Sequence, residues 1–169
     1  HVADKNLKPE EVNAIEGGVK YAAHGIAAQA SVYRNNWKNM IDWIRHTSDG
    51  PDAPWESVNF TEVKATGWEA QLSMDFKQLL PGQTVLKHFN VSYNYLFQSK
   101  DIDNDIQSKY SLEYLRHKFV SNLQLNILDR LVLGINFRWQ ERRGTYTDYD
   151  GEVKNYSPYS IVDARLCWS

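Results

Sequence analysis

The chain contains no long apolar run. Nowhere in its 169 residues is there a stretch approaching the roughly 18 apolar residues that a membrane-spanning helix needs, and a helical span is excluded. Charge of either sign is not in excess: 19 Lys and Arg stand against 21 Asp and Glu, a formal net charge of −2. Without a global field, nothing favours nucleic acid or an anionic surface as a partner, and any charge-based role must be local. The first residues, His1-Val2-Ala3-Asp4-Lys5, hold no apolar core of the kind a secretory leader carries, so the chain is expected to be mature or a fragment. Cysteine is nearly absent. The single Cys167 excludes an internal disulfide and says nothing further about compartment.

What the chain does have is period two. Trp68, Ala70, Leu72, Met74 and Phe76 alternate with Glu69, Gln71, Ser73 and Asp75, as strand residues do when one face of a sheet is apolar and the other wet. Phe89 to Phe97, Phe119 to Ile127 and Leu131 to Trp139 repeat the pattern, and weaker versions run over Ile15 to Tyr21, Ile26 to Val32 and Val162 to Trp168. That makes about seven strands of about nine to eleven residues, the length that crosses a bilayer when tilted. The negative mean hydropathy does not contradict a membrane location, because a barrel strand shows lipid only every second residue.

The connections alternate short and long. His24-Gly25, the Pro81-Gly82 turn and Leu128-Asp129-Arg130 are short; roughly Asn35 to Lys64, Ser99 to Ser111 and Gly144 to Pro158 are long. Transmembrane barrels have this asymmetry, with short periplasmic turns and long outer loops. Any antiparallel sheet with one wet face alternates too. Two features favour the membrane: aromatic residues at strand ends (Trp68, Phe76, Phe89, Phe97, Phe119, Trp139, Trp168), as interfacial girdles require, and an opposite face made almost wholly of amides and charges. The expected fold is all-β, an antiparallel up-and-down meander with nearest-neighbour pairing only, no parallel pair and no helix longer than two turns.

Several segments resemble the late barrel strands of TonB-dependent outer-membrane receptors. Asn6-Leu7-Lys8-Pro9-Glu10-Glu11 followed by Glu16-Gly17-Gly18-Val19-Lys20-Tyr21 is similar to the entry to those strands. Val32-Tyr33-Arg34-Asn35, Met40-Ile41-Asp42-Trp43, Thr66-Gly67-Trp68-Glu69-Ala70, Lys109 to Lys118, and Tyr156-Ser157-Pro158-Tyr159 running into Val162-Asp163-Ala164-Arg165 follow in the family's order. The resemblance covers nearly the whole chain. It implies a 22-stranded, plugged barrel in the outer membrane of a Gram-negative bacterium, with residues 1–169 forming part of its C-terminal region. The plug, the N-terminal box that meets TonB and about the last two strands are missing from the pattern. Its implied role is TonB-energised uptake of a scarce nutrient, with the closest likeness to cobalamin and siderophore receptors. Its implied partners are outer-membrane lipid, the receptor's own plug, TonB and the nutrient.

Nothing in the chain reads as an enzyme. His24, His46, His88 and His117 lie in different elements with no metal-binding spacing, and Cys167 has no His neighbour and reads as a wall position. The lumen row Glu69, Asp75, Asn90, Asn94, Asn122, Gln124, Asn126, Asn136 and Arg138 reads either as a ligand channel or as a surface hydrogen-bonded to plug and water. Asp101, Asp103 and Asp105 take the first three odd positions of a calcium loop, but Ile106 stands where the loop needs glycine. A solvated acidic loop is the alternative to Ca2+, and no other cofactor is expected. Asp42, Trp43, Trp37 and Trp55 fall in the first long loop, where tryptophan either stacks on a ligand or anchors in the interface. Two rival functions are a self-closed small barrel holding a lipophilic ligand, as lipocalins do, and an eight-stranded membrane anchor; both require the first and last strands to pair, Val19 beside Leu166.

The sharpest expectation concerns register. A three-residue turn at Leu128 to Arg130 would pair Ile127 with Leu131, Leu123 with Ile135 and Phe119 with Trp139. It would also set Val120 opposite Arg138, Lys118 opposite Gln140 and Arg116 opposite Arg142. Arg116, Lys118 and Arg142 would then form a basic patch at the outer mouth, serving an anionic ligand or neutralised by plug or by Asp101 and Asp103. If the Arg116 and Arg142 side chains leave on opposite faces, that register fails at the mouth.

Overall fold

Alternation carried through hairpin-joined segments leaves the chain one economical arrangement, each strand laid antiparallel beside the next. A computed structural model has this arrangement and describes residues 6–50, 52–100, 106–108 and 113–168. In chain order the strands are β1 (Glu11–Ala23), β2 (Ile26–His46), β3 (Glu56–Asp75), β4 (Leu86–Lys100), β5 (Ile106–Ser108), β6 (Tyr114–Leu128), β7 (Leu131–Arg143), β8 (Thr145–Thr147), β9 (Val153–Asn155) and β10 (Tyr159–Trp168). Seven of them form the meander β1-β2-β3-β4-β6-β7-β10, and β8 and β9 form a separate hairpin in the last long connection. Every pairing is antiparallel. The only α-helix among the described residues is α1 (Phe76–Leu79), and no described helix is long and apolar enough to cross a membrane, which says nothing about crossing by strands.

The turn chemistry explains the hairpins. His24 and Gly25 both have positive φ, 48° and 80°, the two left-handed residues of a type I′ turn whose twist matches that of the flanking strands. At the next short connection Asp75 caps α1, its carboxylate accepting the Lys77 N–H at 3.0 Å. Phe76, expected as the last strand residue, therefore opens the helix, because a capped turn satisfies the backbone groups that the strand no longer pairs.

Three expectations are corrected. The strands outrun a bilayer crossing, with β2 at 21 residues and β3 at 20, so most of Asn35 to Lys64 is paired strand. The alternation that would have revealed it fades there because beyond the lipid both faces meet water or protein, and because Asn39 has φ 54°. Trp37 and Val63 share an apolar cluster with Met40, Val58 and Ile44, residues that unbroken alternation would divide between two faces. Second, pairing is not confined to sequence neighbours: β5 joins β2, with Ile44 opposite Ser108 and His46 opposite Ile106. β1 stops at Glu11 opposite Lys38, and β5 takes the edge that β1 leaves. Third, the β6–β7 turn has two residues, Asp129 and Arg130, so Leu128 faces Leu131 and Ile127 bulges. Further up the expected register holds, with Leu123 opposite Ile135, Phe119 opposite Trp139, Val120 opposite Arg138 and Lys118 opposite Gln140.

The sheet is open. Val19 faces Ala30 and Leu166 faces Leu133, and β1 and β10 stand at opposite ends of the strand order, so the pairing that a self-closed barrel or anchor requires is absent among the described residues. Both edges present unpaired backbone groups beside a broad aromatic face. Expressed by itself in detergent-free buffer, the chain should sediment as oligomers formed through strand edges; a monodisperse monomer would contradict the open-edged sheet.

One close approach fixes the middle of the wall. Gly67 lies opposite Tyr33, and a Cβ there would meet Tyr33 Cζ at 2.5 Å and the Tyr95 carbonyl oxygen at 2.6 Å. Gly67→Ala should therefore cost about 1–3 kcal/mol by overpacking. Gly17→Ala, where a Cβ meets nothing within 4 Å, should not. Urea unfolding of the lipid-inserted barrel reads the difference.

Candidate functional site

Alternation gives the wall two chemically opposite faces, and the wet one is internally bonded. Glu69 on β3 accepts from Ser31 Oγ on β2 at 3.2 Å and from Asn94 Nδ2 on β4 at 3.1 Å. Beside this three-strand bridge, Gln29 donates to Gln71 at 3.1 Å, Ser73 donates to Asn90 at 2.6 Å and Asn122 donates to Asn136. Asn126 reaches back to the Thr84 carbonyl at 2.9 Å. Amides suit such a face because each offers a donor and an acceptor, so neighbouring strands bond laterally and still leave groups for a ligand, water or another domain. The outward face carries rings instead: Trp68 and Tyr93 lie 5.0 Å apart, Tyr95 and His117 5.0 Å, His117 and Trp139 5.9 Å, and Phe119 and Phe137 5.9 Å.

At the outer end the wet face closes over itself. Val63 is fully buried, Ile44 is 7% exposed and Asp42 1%, with Ile106 of β5 packed against the Ile44 and Val63 cluster. Asn59 ties the segment before β1 to this end, accepting from the Lys8 N–H at 2.7 Å and donating to the Lys8 and Asn39 carbonyls at 3.0 and 2.6 Å. Glu10 accepts the Ile41 N–H at 2.6 Å.

A wall with an amide-lined inner face, a ring-lined outer face, paired strands longer than a bilayer and loops gathered at one end is that of a transmembrane barrel. Over residues 1–169 the chain matches the family described as TonB dependent receptor-like, beta-barrel. The chain belongs to that family. None of the curated proteins compared with it matches in sequence. Among solved structures it is similar to the FrpB iron transporter from Neisseria meningitidis, at 16% identity and a TM-score of 0.68, covering 99% of this chain and 26% of that one. It is likewise similar to the copper transporter OprC, at 14% identity and 0.68, covering 98% and 24%. The ferric enterobactin receptor PfeA of Pseudomonas aeruginosa, solved as a variant with enterobactin, matches at 22% identity and 0.64, covering 94% and 24%. The chain thus spans about a quarter of the length of these structures. As a TonB-dependent receptor barrel it belongs in the Gram-negative outer membrane.

In this receptor wall the expected basic patch does not assemble. A bulge between Leu115 and His117 sets Arg142 opposite Leu115. Arg116, the extra residue, swings onto the aromatic face, its guanidinium 5.9 Å from the Tyr95 ring and 6.0 Å from that of Phe97. The register misses at the mouth because a bulge places two consecutive residues on the same side, and single-sequence alternation carries no signal for it. Arg142 instead bonds Glu113 at 3.3 Å and lies 5.5 Å from the Tyr156 ring, and Tyr156 Oη donates to Glu113 at 3.1 Å. Lys118 stays on the lumen row, opposite Asn94 and Gln140. Asp42 and Trp43, expected in a loop, lie on β2, where the Asp42 carboxylate accepts the Trp43 N–H at 2.6 Å. Arg45 stacks 5.0 Å from Trp55. Asp101, Asp103 and Asp105 lie outside the described residues. The Glu113, Arg142 and Tyr156 clasp was missed because its members sit 14 to 43 positions apart and only the fold joins them.

The β8–β9 hairpin is organised by Asp148, which accepts from Lys154 Nζ and from the Asp150 and Glu152 N–H groups at 2.9 and 3.1 Å. The Lys154 hydrogen bond, helped by those N–H groups, holds the Asp148 carboxyl below its usual 3.8. A depressed folded-state value stabilises the hairpin above the ordinary carboxylate range, and that contribution is lost as pH falls through the folded value. Lys154→Gln should move the Asp148 titration back up towards 3.8, read by carboxyl carbon NMR; an unmoved titration would leave the pairing without effect.

Proposed function

We propose that this chain supplies wall and outer loops to a receptor that imports a scarce nutrient, in the form of a metal chelate, with energy from TonB reaching a plug seated in the lumen. The observation that carries the reading is the one-sided lumen wall of a TonB-dependent receptor barrel, whose bridged row Ser31, Glu69 and Asn94 leaves donors and acceptors facing inward. Support for a metal chelate over cobalamin, the other nutrient suggested by the sequence, comes from the neighbours, named as iron and copper transporters and a ferric enterobactin receptor. On this reading the receptor carries its ligand across the membrane without converting it chemically.

Lys118 on the lumen row and Arg142 at the mouth, half-exposed although bonded to Glu113, are basic groups placed to draw in an anionic chelate, since exposed charges act mainly by steering and encounter. In the receptor carrying this segment, Lys118→Gln with Arg142→Gln should lower uptake of an anionic iron chelate roughly tenfold at low salt and less at high salt. Radiolabelled iron uptake by intact cells under iron limitation measures it; unchanged uptake would remove these two residues from the ligand path.

A further inference from the structure

The outward face carries a feature that ligand uptake does not use. Across β2, β3 and β4, Arg34, Thr66 and Phe97 form one row, and Arg116 is brought to the same level by the β6 bulge, over Phe97. Arginine is unusual on a lipid-facing wall, where a charge at the midplane costs several kcal/mol but little near the interface. The row beneath, Val32, Trp68 and Tyr95 beside His117, marks that interface by its aromatic rings. Carboxylates near this level are engaged, Glu62 by Lys64 at 3.0 Å and Glu141 by Arg143 at 3.5 Å. Arg34 and Arg116 have no ion pair among the described residues, and the Arg116 Nε is buried without a hydrogen-bond partner.

A second observation lies directly below. Ala28, Ala30 and Ala70 floor a trough of ≈ 480 Å³, walled by Val19 and Tyr21 on one side and Val91 and Tyr93 on the other. Its floor lies on the interior strands β2 and β3, with β4 as one wall and the edge strand β1 as the other. Four residues along β2, about 13 Å at strand rise, separate Arg34 from Ala30. Two guanidinium groups without an ion-pair partner, Arg116 held beside Tyr95, lie at headgroup depth with an apolar furrow beneath Arg34, and together they match one amphiphile, anionic at the top and with an acyl chain below.

The geometry points to a binding site for a phosphorylated glycolipid of the outer leaflet, its phosphate held by Arg34 and Arg116 and one acyl chain lying along Ala30, Ala28 and Ala70. Arginine's planar fork suits phosphate, and the Tyr95 and Phe97 rings hold the Arg116 guanidinium in place.

The test uses the receptor carrying this segment, purified in mild detergent from outer membranes, with co-purified glycolipid per barrel measured by mass spectrometry. Wild type should retain a near-stoichiometric amount, and R34Q with R116Q should lower it about fivefold or more. Ala30→Leu with Ala70→Leu, which fills the trough and leaves both charges, should lower it as well, while lumen-facing Arg138→Gln should not. Circular dichroism melting shows that each variant is folded. Delipidated receptor should regain the phosphorylated glycolipid from mixed micelles in preference to phosphatidylethanolamine or inorganic phosphate. Unchanged retention in the arginine pair, an equal loss in Arg138→Gln, or equal recovery of phosphatidylethanolamine would overturn the site.

Discussion

In hydrocarbon a backbone N–H or C=O has no water to bond, and each one left unpaired costs several kcal/mol. Every other feature of this wall answers to that constraint. The strands from Glu11 to Trp168 are laid side by side so that each interior strand bonds on both edges. Two of the three turns between them on one side have only two residues, His24-Gly25 and Asp129-Arg130, and the third folds its backbone groups into α1. Where a strand loses its neighbour beyond the lipid, a replacement is recruited: β5 for β1, and the Asn59 and Glu10 side chains for the backbone around Asn39.

Given that ladder, side-chain chemistry divides by parity alone. One face needs rings and aliphatics because it meets lipid, and it places its tryptophan, tyrosine and histidine where water begins. The other must be wet but not loose, and amides bridging from strand to strand supply lateral cohesion without closing the surface to a ligand. Family membership follows from the whole pattern rather than from a motif, which is why identities as low as 14% accompany a shared fold.

Much of this was legible in the sequence because period two survives wherever lipid holds one face constant. Trp68 to Met74, Phe89 to Phe97 and Phe119 to Leu125 all pair in the expected sense, and Phe119 does face Trp139. What was not legible lies where alternation has no lipid to enforce it. Trp37 to His46 reads as a loop because its apolar residues change face at Asn39, although the backbone continues as strand. The bulge at Arg116 reverses the meaning of one residue, turning a supposed lumen arginine into an outward one. The Ile127 bulge arises from a turn one residue shorter than composition suggested. Of the mouth, Lys118 was placed correctly on the lumen row, whereas the Glu113 and Tyr156 clasp depended on contacts between connections that no local pattern encodes.

The three-residue pairing of β5 with β2 also bears on mechanics. Ile106 to Ser108 belongs to the connection between β4 and β6, yet it is bonded two strands beyond β4, at the far edge of β2. The connection is therefore anchored at both ends and at its middle, like a strap buckled across the rim. Any widening of the mouth there has to unzip the buckle one residue at a time, which makes opening a stepwise peel whose resistance is set by a few backbone hydrogen bonds and the seating of Ile106 on Ile44 and Val63.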